Sequence, residues 1–329
     1  MLKVLITGAN GFIGSHIVDM LLKEKYNVTC ILRKKSNLKW IQNLPIKYVY
    51  GDLDDKNFLE TIINSVDIVI HCAGIVRAVT KNEYFKINVK NTRNLCQAIL
   101  KININLKKFI FISSQAAMGP SSSCANIRKI SDRESPISDY GLSKLAAESE
   151  IRKLFLKKVP YIILRPATVY GPRDKDVLIF FNLVYKHIRL LTTTKRLLQL
   201  VFVDDVAKAV INCLQNEKIN NNTYYLANYN TYTWSDMGKI IASSARIRTI
   251  PFIIPDFMFK FAGVISEIFS YVLKKPMILN KQKIVEMLQK YWIADTRPTE
   301  IDMNIKFTSL EVGSRITYNW YLANRNFMK

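Results

Sequence analysis

An apolar run, Val4-Leu5-Ile6, passes straight into Thr7-Gly8-Ala9-Asn10-Gly11-Phe12-Ile13-Gly14 and then into an amphipathic segment. Three glycines at spacing three, between a strand and a helix, form the turn that grips a dinucleotide pyrophosphate. The first permits the tight turn, the second brings backbone close to the phosphates, and the third lets the helix close on the sheet. The anion then rests on the helix N-terminus, whose amides lack partners. A lone glycine triplet is weak evidence. Here the strand–turn–helix context and a second motif far downstream agree with it. The expected ligand is a nicotinamide dinucleotide held by Gly8, Asn10, Gly11, Phe12, Ile13 and Gly14.

Short apolar runs alternate with helical patterns through the first half, as in βαβ units around a parallel sheet. The spacing predicts strands over Lys3–Thr7, Val28–Leu32, Lys47–Tyr50, Asp67–Cys72, Phe109–Ser113 and Tyr161–Leu164. Helices are predicted over Phe12–Lys23, Lys56–Asn64, Glu83–Ile102 and Tyr140–Leu156. A strand over Leu200–Val203 runs into a helix over Asp204–Leu214, and Tyr224–Ala227 adds another strand. Pro166–Lys195 and Thr231–Lys329 are less regular and more aromatic. The expected fold is α/β: a Rossmann-type doubly wound parallel sheet with a smaller, mostly C-terminal substrate lobe. The dinucleotide-binding domain takes residues 1–165 and about 199–230; the lobe takes 166–198 and 231–329.

The formal net charge of +22 raises the question of a nucleic-acid or anionic-membrane partner. The lysines, however, are spread along the whole chain without a dense basic block, and no nucleic-acid-binding signature accompanies them, so no nucleic acid is expected. Five scattered cysteines without a C-x-x-C read as buried thiols of a reducing cytoplasm. Three histidines, His16, His71 and His187, with no clustered Cys/His pairs, argue against a metal. The N-terminus enters a strand at once, which leaves no room for a signal peptide. Between Ile250 and Leu273 the chain is strongly apolar but carries Pro251, Pro255, Asp256, Lys260 and Glu267. These exclude a membrane span. An interfacial helix in peripheral contact with a membrane is the alternative there.

Tyr140-Gly141-Leu142-Ser143-Lys144 sets a tyrosine and a lysine four apart at the start of a helix, on one face. A phenol ionises near pH 10, too high for proton transfer at neutral pH, and a neighbouring ammonium favours the phenolate. Such a pair is common on surface helices. Behind a nucleotide-binding turn and the strand end Ile112-Ser113-Ser114, it reads as chemistry.

At these residues the chain resembles the extended short-chain dehydrogenase/reductase family, the NAD-dependent epimerase/dehydratase type, over nearly its whole length. The shared motifs are Gly8, Gly11 and Gly14; Gly51-Asp52-Leu53; His71-Cys72-Ala73-Gly74; Ser114; Tyr140 with Lys144; Arg165-Pro166; Tyr170-Gly171-Pro172; and Val203-Asp204-Asp205-Val206. The resemblance implies Tyr140 as general acid/base and Lys144 as the group that holds the ribose hydroxyls and lowers the Tyr140 pKa. It implies Ser114, with Ser113 the alternative, as the partner of the same substrate oxygen. Asp52 and Leu53 would meet the adenine, while Ala73, Gly74 and Pro166 would line the cofactor. Asn88 matches the first position of a family helix motif whose glycine is here Asn91, so its implied role is structural support. His16 is expected to pack the helix. A homodimer through the helices over Glu83–Ile102 and Tyr140–Leu156 is a further, open implication.

Relatives that prefer NAD carry an acid at the end of the second strand. This chain reads Leu32-Arg33-Lys34-Lys35 there. A guanidinium suits a ribose 2′-phosphate, so NADP is expected, with NAD the alternative. Nucleotide-sugar relatives hold the substrate diphosphate with an Asn and an Arg whose positions here are Thr168 and Leu198; Arg173, Lys175 or Arg196 would have to substitute. The run Arg165-Pro166-Ala167-Thr168-Val169-Tyr170 looks more like the dihydroflavonol reductase and 3β-hydroxysteroid dehydrogenase branch. The aromatic segment Phe252–Tyr271 fits either a less polar small-molecule substrate or lobe core. An NAD(P)-dependent oxidoreductase leads, a nucleotide-sugar epimerase/dehydratase is the alternative, and a non-catalytic cofactor-binding scaffold is the second alternative.

Overall fold

The computed structural model describes residues 1–273 and 281–324. The alternating runs of the first half fold as β1 (Lys3–Thr7), α1 (Phe12–Lys23), β2 (Asn27–Leu32), β3 (Lys47–Tyr50), α2 (Lys56–Ile63) and β4 (Ile68–His71). A short α3 (Lys81–Tyr84) leads through a π-helical stretch, Phe85–Lys90, into α4 (Asn91–Ile102). Then come β5 (Lys108–Ile112), a 3-10 turn over Gln115–Ala117, α5 (Asp139–Phe155) and β6 (Tyr161–Pro166). The chain continues as β7 (Thr168–Tyr170), α6 (Leu178–Tyr185), β8 (Ile188–Thr192), β9 (Leu197–Leu198), β10 (Leu200–Phe202), α7 (Val203–Gln215) and β11 (Asn222–Leu226). It closes with α8 (Trp234–Ala245), β12 (Ile250–Ile254), α9 (Asp256–Leu273), α10 (Lys281–Met287), β13 (Tyr291–Trp292), α11 (Arg297–Asp302) and α12 (Leu310–Ala323).

Seven parallel strands form one sheet in the order β11-β6-β5-β4-β1-β2-β3. Both faces are covered, which is why every residue of β4 and β5 is buried and their sequences show no polar face. The two-residue strand period divides β1: Val4 and Ile6 join a core with Ile17, Leu21, Val206 and Val210, while Leu5 joins one with Leu59, Leu95, Phe109 and Phe155. A third cluster, with Tyr170, Phe181, Phe202, Met237 and Tyr321, ties together α6, α8, α12 and the pair β7–β10. The C-terminal segment also reaches back: Met303, Ile305 and Phe307 complete the first core against α7. Asp205 fixes that return by accepting hydrogen bonds from the Thr308 amide (2.6 Å) and hydroxyl (2.9 Å).

The structure refines three expectations. The strand expected over Leu200–Val203 is present over Leu200–Phe202, and it pairs with β7 in a ribbon separate from the main sheet. The helix expected over 83–102 is interrupted by the π-helical stretch at Phe85–Lys90. The apolar segment after residue 250 makes β12, parallel to β8, and then α9, whose outer face is exposed and lines an open apolar concavity through Phe257, Phe261, Ile265 and Phe269. Phe252 is 58% exposed, Phe257 69% and Phe261 67%. Only the opposite side of the helix packs inward, through Phe259 edge-on to Trp234 and the buried Gly263.

Candidate active site

Strand order reverses between β1 and β4, so their C-terminal ends flank the crevice where ligands enter such sheets. Gly14 makes the crevice floor: a Cβ there would sit 2.1 Å from the Gly8 carbonyl oxygen, so α1 approaches the turn only without a side chain. Gly11 caps α1 in extended conformation and no side chain caps the helix, which leaves its first amides to an anion. These features fit a dinucleotide pyrophosphate. Asn10 donates to the Asn37 carbonyl (3.3 Å), and Phe12 and Ile13 open α1. Arg33 stands exposed just beyond β2, and Asp52, also exposed, accepts a bond from the Asp54 amide (3.0 Å) next to the buried Leu53.

Ala73 and Gly74 follow β4, with the Ala73 amide bonded to the Thr7 hydroxyl (3.1 Å). That hydroxyl also meets His71 Nδ1 at 2.7 Å, and His71 Nε2 meets Thr92 at 2.9 Å. Burial drives the His71 imidazolium down to about 3, so the ring is a neutral strut. Asn88 lies in the π-helical stretch. Its amide accepts from the Ile75 N–H (2.8 Å) and donates to the Ile75 carbonyl (3.0 Å) and the Ser143 hydroxyl (2.9 Å), which joins the cofactor loop to α5. His16 is a tie too, with its ring nitrogens on Asp204 (2.7 Å) and the Pro172 carbonyl (2.9 Å).

Ser138 starts α5, its hydroxyl accepting from the Gly141 amide (3.0 Å). Tyr140 is therefore in the first turn and Lys144 one turn on, facing the same way. Gly141 permits this position: a Cβ would lie 2.4 Å from the Ala116 carbonyl, so the helix meets the turn after β5 only with glycine there. The contact delivers the Ser114 hydroxyl to Tyr140. Ser113 faces away and donates to Glu148 beneath the sheet (2.5 Å). Lys144 donates to the Ile112 carbonyl (2.7 Å), lies 4.1 Å from the Phe111 ring centre, and comes within 3.9 Å of the space a Gly74 Cβ would fill. Pro166 ends β6, paired with Leu226 of β11.

The expected pKa relation between the pair is not what this geometry produces. Tyr140 is only partly exposed and burial raises its phenol well above the ordinary value, opposed by the Ser114 hydroxyl and reinforced by Glu286. The Lys144 ammonium is aimed at the Ile112 carbonyl, and burial lowers it to about 8. The phenol is thus neutral at pH 7.

Several supporting residues carry no motif of their own. Gln282 and Glu286 of α10 reach back to Asp139 and Ser138 and clamp the start of α5. Glu148, fully buried, receives both Nε and Nη2 of Arg165 at 2.9 and 2.7 Å, along with Arg152 at 2.8 Å. A Ser followed by a helical pattern signals the Ser138 cap; nothing local signals the others. Thr168 is exposed on β7, and Leu198 exchanges two backbone hydrogen bonds with Tyr232. Of the cations considered for a diphosphate, Arg196 is buried against Asp256 (2.5 Å) and Arg173 is paired with Asp19 (2.8 Å). Among the described residues, no group of three or more His, Cys, Asp or Glu is placed to hold a metal, and no helix is long and apolar enough to cross a membrane.

Comparison with known proteins bears on the family and the fold. Residues 4–227 match the NAD dependent epimerase/dehydratase family. A ceramide reductase of Caulobacter vibrioides is 26% identical over 324 residues, covering 97% of this chain and 94% of that one. A UDP-glucose 4-epimerase of Vibrio cholerae is 28% identical over 79% of this chain and 81% of its own length. In fold, the chain is similar to UDP-glucuronic acid 4-epimerase from Bacillus cereus in complex with NAD, with a TM-score of 0.77, 21% identity and coverage of 97% and 96%.

Proposed function

Because this chain is an enzyme that belongs to the NAD dependent epimerase/dehydratase family, we propose that it reduces a carbonyl, or oxidises the matching hydroxyl, on an apolar small molecule. The pairing of Ser114 with Tyr140, and Lys144 one turn further along α5 and beside Gly74, carry this reading. A bound nicotinamide supplies the hydride acceptor or donor. Tyr140 exchanges a proton with the substrate oxygen, Ser114 donates a hydrogen bond to that oxygen, and Lys144 holds the ribose hydroxyls from the floor of the site. A neutral phenol is the form that reduction requires. Gly8, Gly11 and Gly14 take the pyrophosphate, Asp52 and Leu53 the adenine, and Ala73 and Pro166 the walls. Free cysteines, three of them buried, support a reducing cytoplasm.

Cofactor choice rests on Arg33. Its guanidinium is exposed past the end of β2, where a 2′-phosphate would lie and no carboxylate competes. The protein is expected to bind NADP(H) more tightly than NAD(H). Arg33→Asp should erase or reverse the preference through the loss of about 1.5–3 kcal/mol of charged hydrogen bonding. Titration of both cofactors measures this, and equal dissociation constants in the wild type would remove the basis for NADP.

Substrate class rests on Thr168 and Leu198, which lack the groups that grip a diphosphate, and on the full-length similarity to a ceramide reductase. The similarity to UDP-glucose 4-epimerase favours the second reading, nucleotide-sugar epimerisation. Thermal shifts with saturating cofactor separate the two. Ligand at 100 times its dissociation constant stabilises by about 2.7 kcal/mol, so long-chain ketones or hydroxy compounds should raise the melting temperature. A response to UDP- or dTDP-sugars alone would establish the epimerase reading instead.

A further inference from the structure

The outer side of α9 is an inverted surface. Phe257, Phe261, Val264, Ile265 and Phe269 recur at helical spacing and are all exposed, while Phe259 and Gly263 face inward. The face continues through Pro255 into β12, where Ile250, Phe252 and Ile253 are exposed as well. Lys260, also exposed, lies at the edge of this face, three residues after Phe257 and four before Val264, and Asp256 lies at the helix start, held by Arg196 and by the Thr194 hydroxyl (2.7 Å). An apolar patch of this kind on a water-exposed surface marks a contact.

The flanks identify what the contact is with. Residues 185–196 and 243–255, the two strands of the β8–β12 ribbon and their approaches, contain Lys186, Arg189, Lys195, Arg196, Arg246 and Arg248 but not one acidic residue. Lys186, Lys195, Arg246 and Arg248 are exposed. A second copy of the chain laid on this face would bring cations against cations. An anionic lipid surface would take the aromatic and aliphatic side chains into the acyl boundary and the cations among its headgroups. We propose that β12 and the outer face of α9 seat the protein on the surface of an anionic bilayer, without crossing it. The proposal stands on this surface alone and holds whichever substrate reading proves correct.

Its location gives it a consequence for the site. α9 packs against α10, and α10 clamps the first turn of α5 through Gln282 and Glu286. Seating the helix therefore brings the residues that position Tyr140 close to the interface.

The test is flotation of the whole protein with vesicles of phosphatidylcholine alone and of phosphatidylcholine with about 30 mol% phosphatidylglycerol, at low and high salt. The expected result is partition onto the anionic vesicles, weakened by salt, and at least about tenfold weaker in the double variant Phe257→Glu and Phe261→Glu. Both positions are exposed, so the variant should keep its melting temperature and cofactor affinity, and circular dichroism checks this. A further pair, Phe261→Ser and Ile265→Ser, repeats the test without added charge. A wild type that stays in the aqueous fraction with anionic vesicles would overturn the proposal. So would partition unchanged by both variants. A vesicle-free dimer dispersed by the same variants would assign the face to self-association.

Discussion

Phenylalanine at position 140 should leave a folded protein that binds cofactor and turns over substrate about 10²- to 10⁴-fold more slowly, the usual contribution of a positioned acid/base. The change removes one hydroxyl. The ring keeps its neighbour Tyr84, 6.3 Å away between centres, and the cap of α5 belongs to Ser138 and not to Tyr140. Ser114 retains its bond from the Ala116 amide, so the turn after β5 does not depend on the phenol either. What disappears is the only group on the first turn of α5 that pairs with Ser114 and can pass a proton to a substrate oxygen. The comparison is kcat/KM for wild type and variant, with cofactor titration as the control for folding. Near-normal turnover would show that some other group carries the proton.

Glu148→Gln should destabilise the protein by about 3–5 kcal/mol, because it leaves the buried Arg165 guanidinium without its buried anionic partner. Both side chains are fully buried. Glutamine matches the shape but carries one acceptor oxygen and no charge, while Arg165 presents two nitrogens and Ser113 also donates to the same carboxylate. Glu134 remains 3.2 Å from Arg165, but it is partly exposed and meets only one nitrogen. Urea unfolding at pH 7 gives the difference. The paired replacement Glu148→Leu with Arg165→Met should recover much of the loss, since the penalty comes from an unpaired charge and not from the missing bond. A loss below about 1 kcal/mol for Glu148→Gln would mean that Glu134 alone satisfies the guanidinium.

The parts of this fold that were legible are those whose cause is local. α1 runs from Phe12 to Lys23 as its periodicity predicts, because the glycine turn and the apolar stripe lie within the same short stretch. The strand cores of the sheet were legible for the same reason. The π-helical turn at Phe85–Lys90 was not: the stretch has no Gly or Pro, and it coincides with Asn88 bonding to Ile75 and Ser143 across the fold. The partner of β10 was likewise illegible, since a strand pattern says nothing about which edge it joins. Gln282 and Glu286 act on residues more than 140 positions earlier, beyond any spacing rule. For α9 the periodicity revealed an apolar face but not its direction, and the face points outward.

The return of Met303, Ile305 and Phe307 to the core beneath α7 bears on how the chain is made. A ribosome adds roughly 5–20 residues per second, and domains near the N-terminus ordinarily fold while the remainder is still being synthesised. Here the last strand of the main sheet ends at Leu226, and α7 packs on α1 without the tail, yet the part of the first core that Met303, Ile305 and Phe307 fill stays open until residues about 80 positions later have left the exit tunnel. During those seconds the nascent sheet is a partly sealed intermediate that carries an exposed hydrophobic flank. Full closure of that core waits on the tail, although every glycine of the nucleotide turn lies in the N-terminal half.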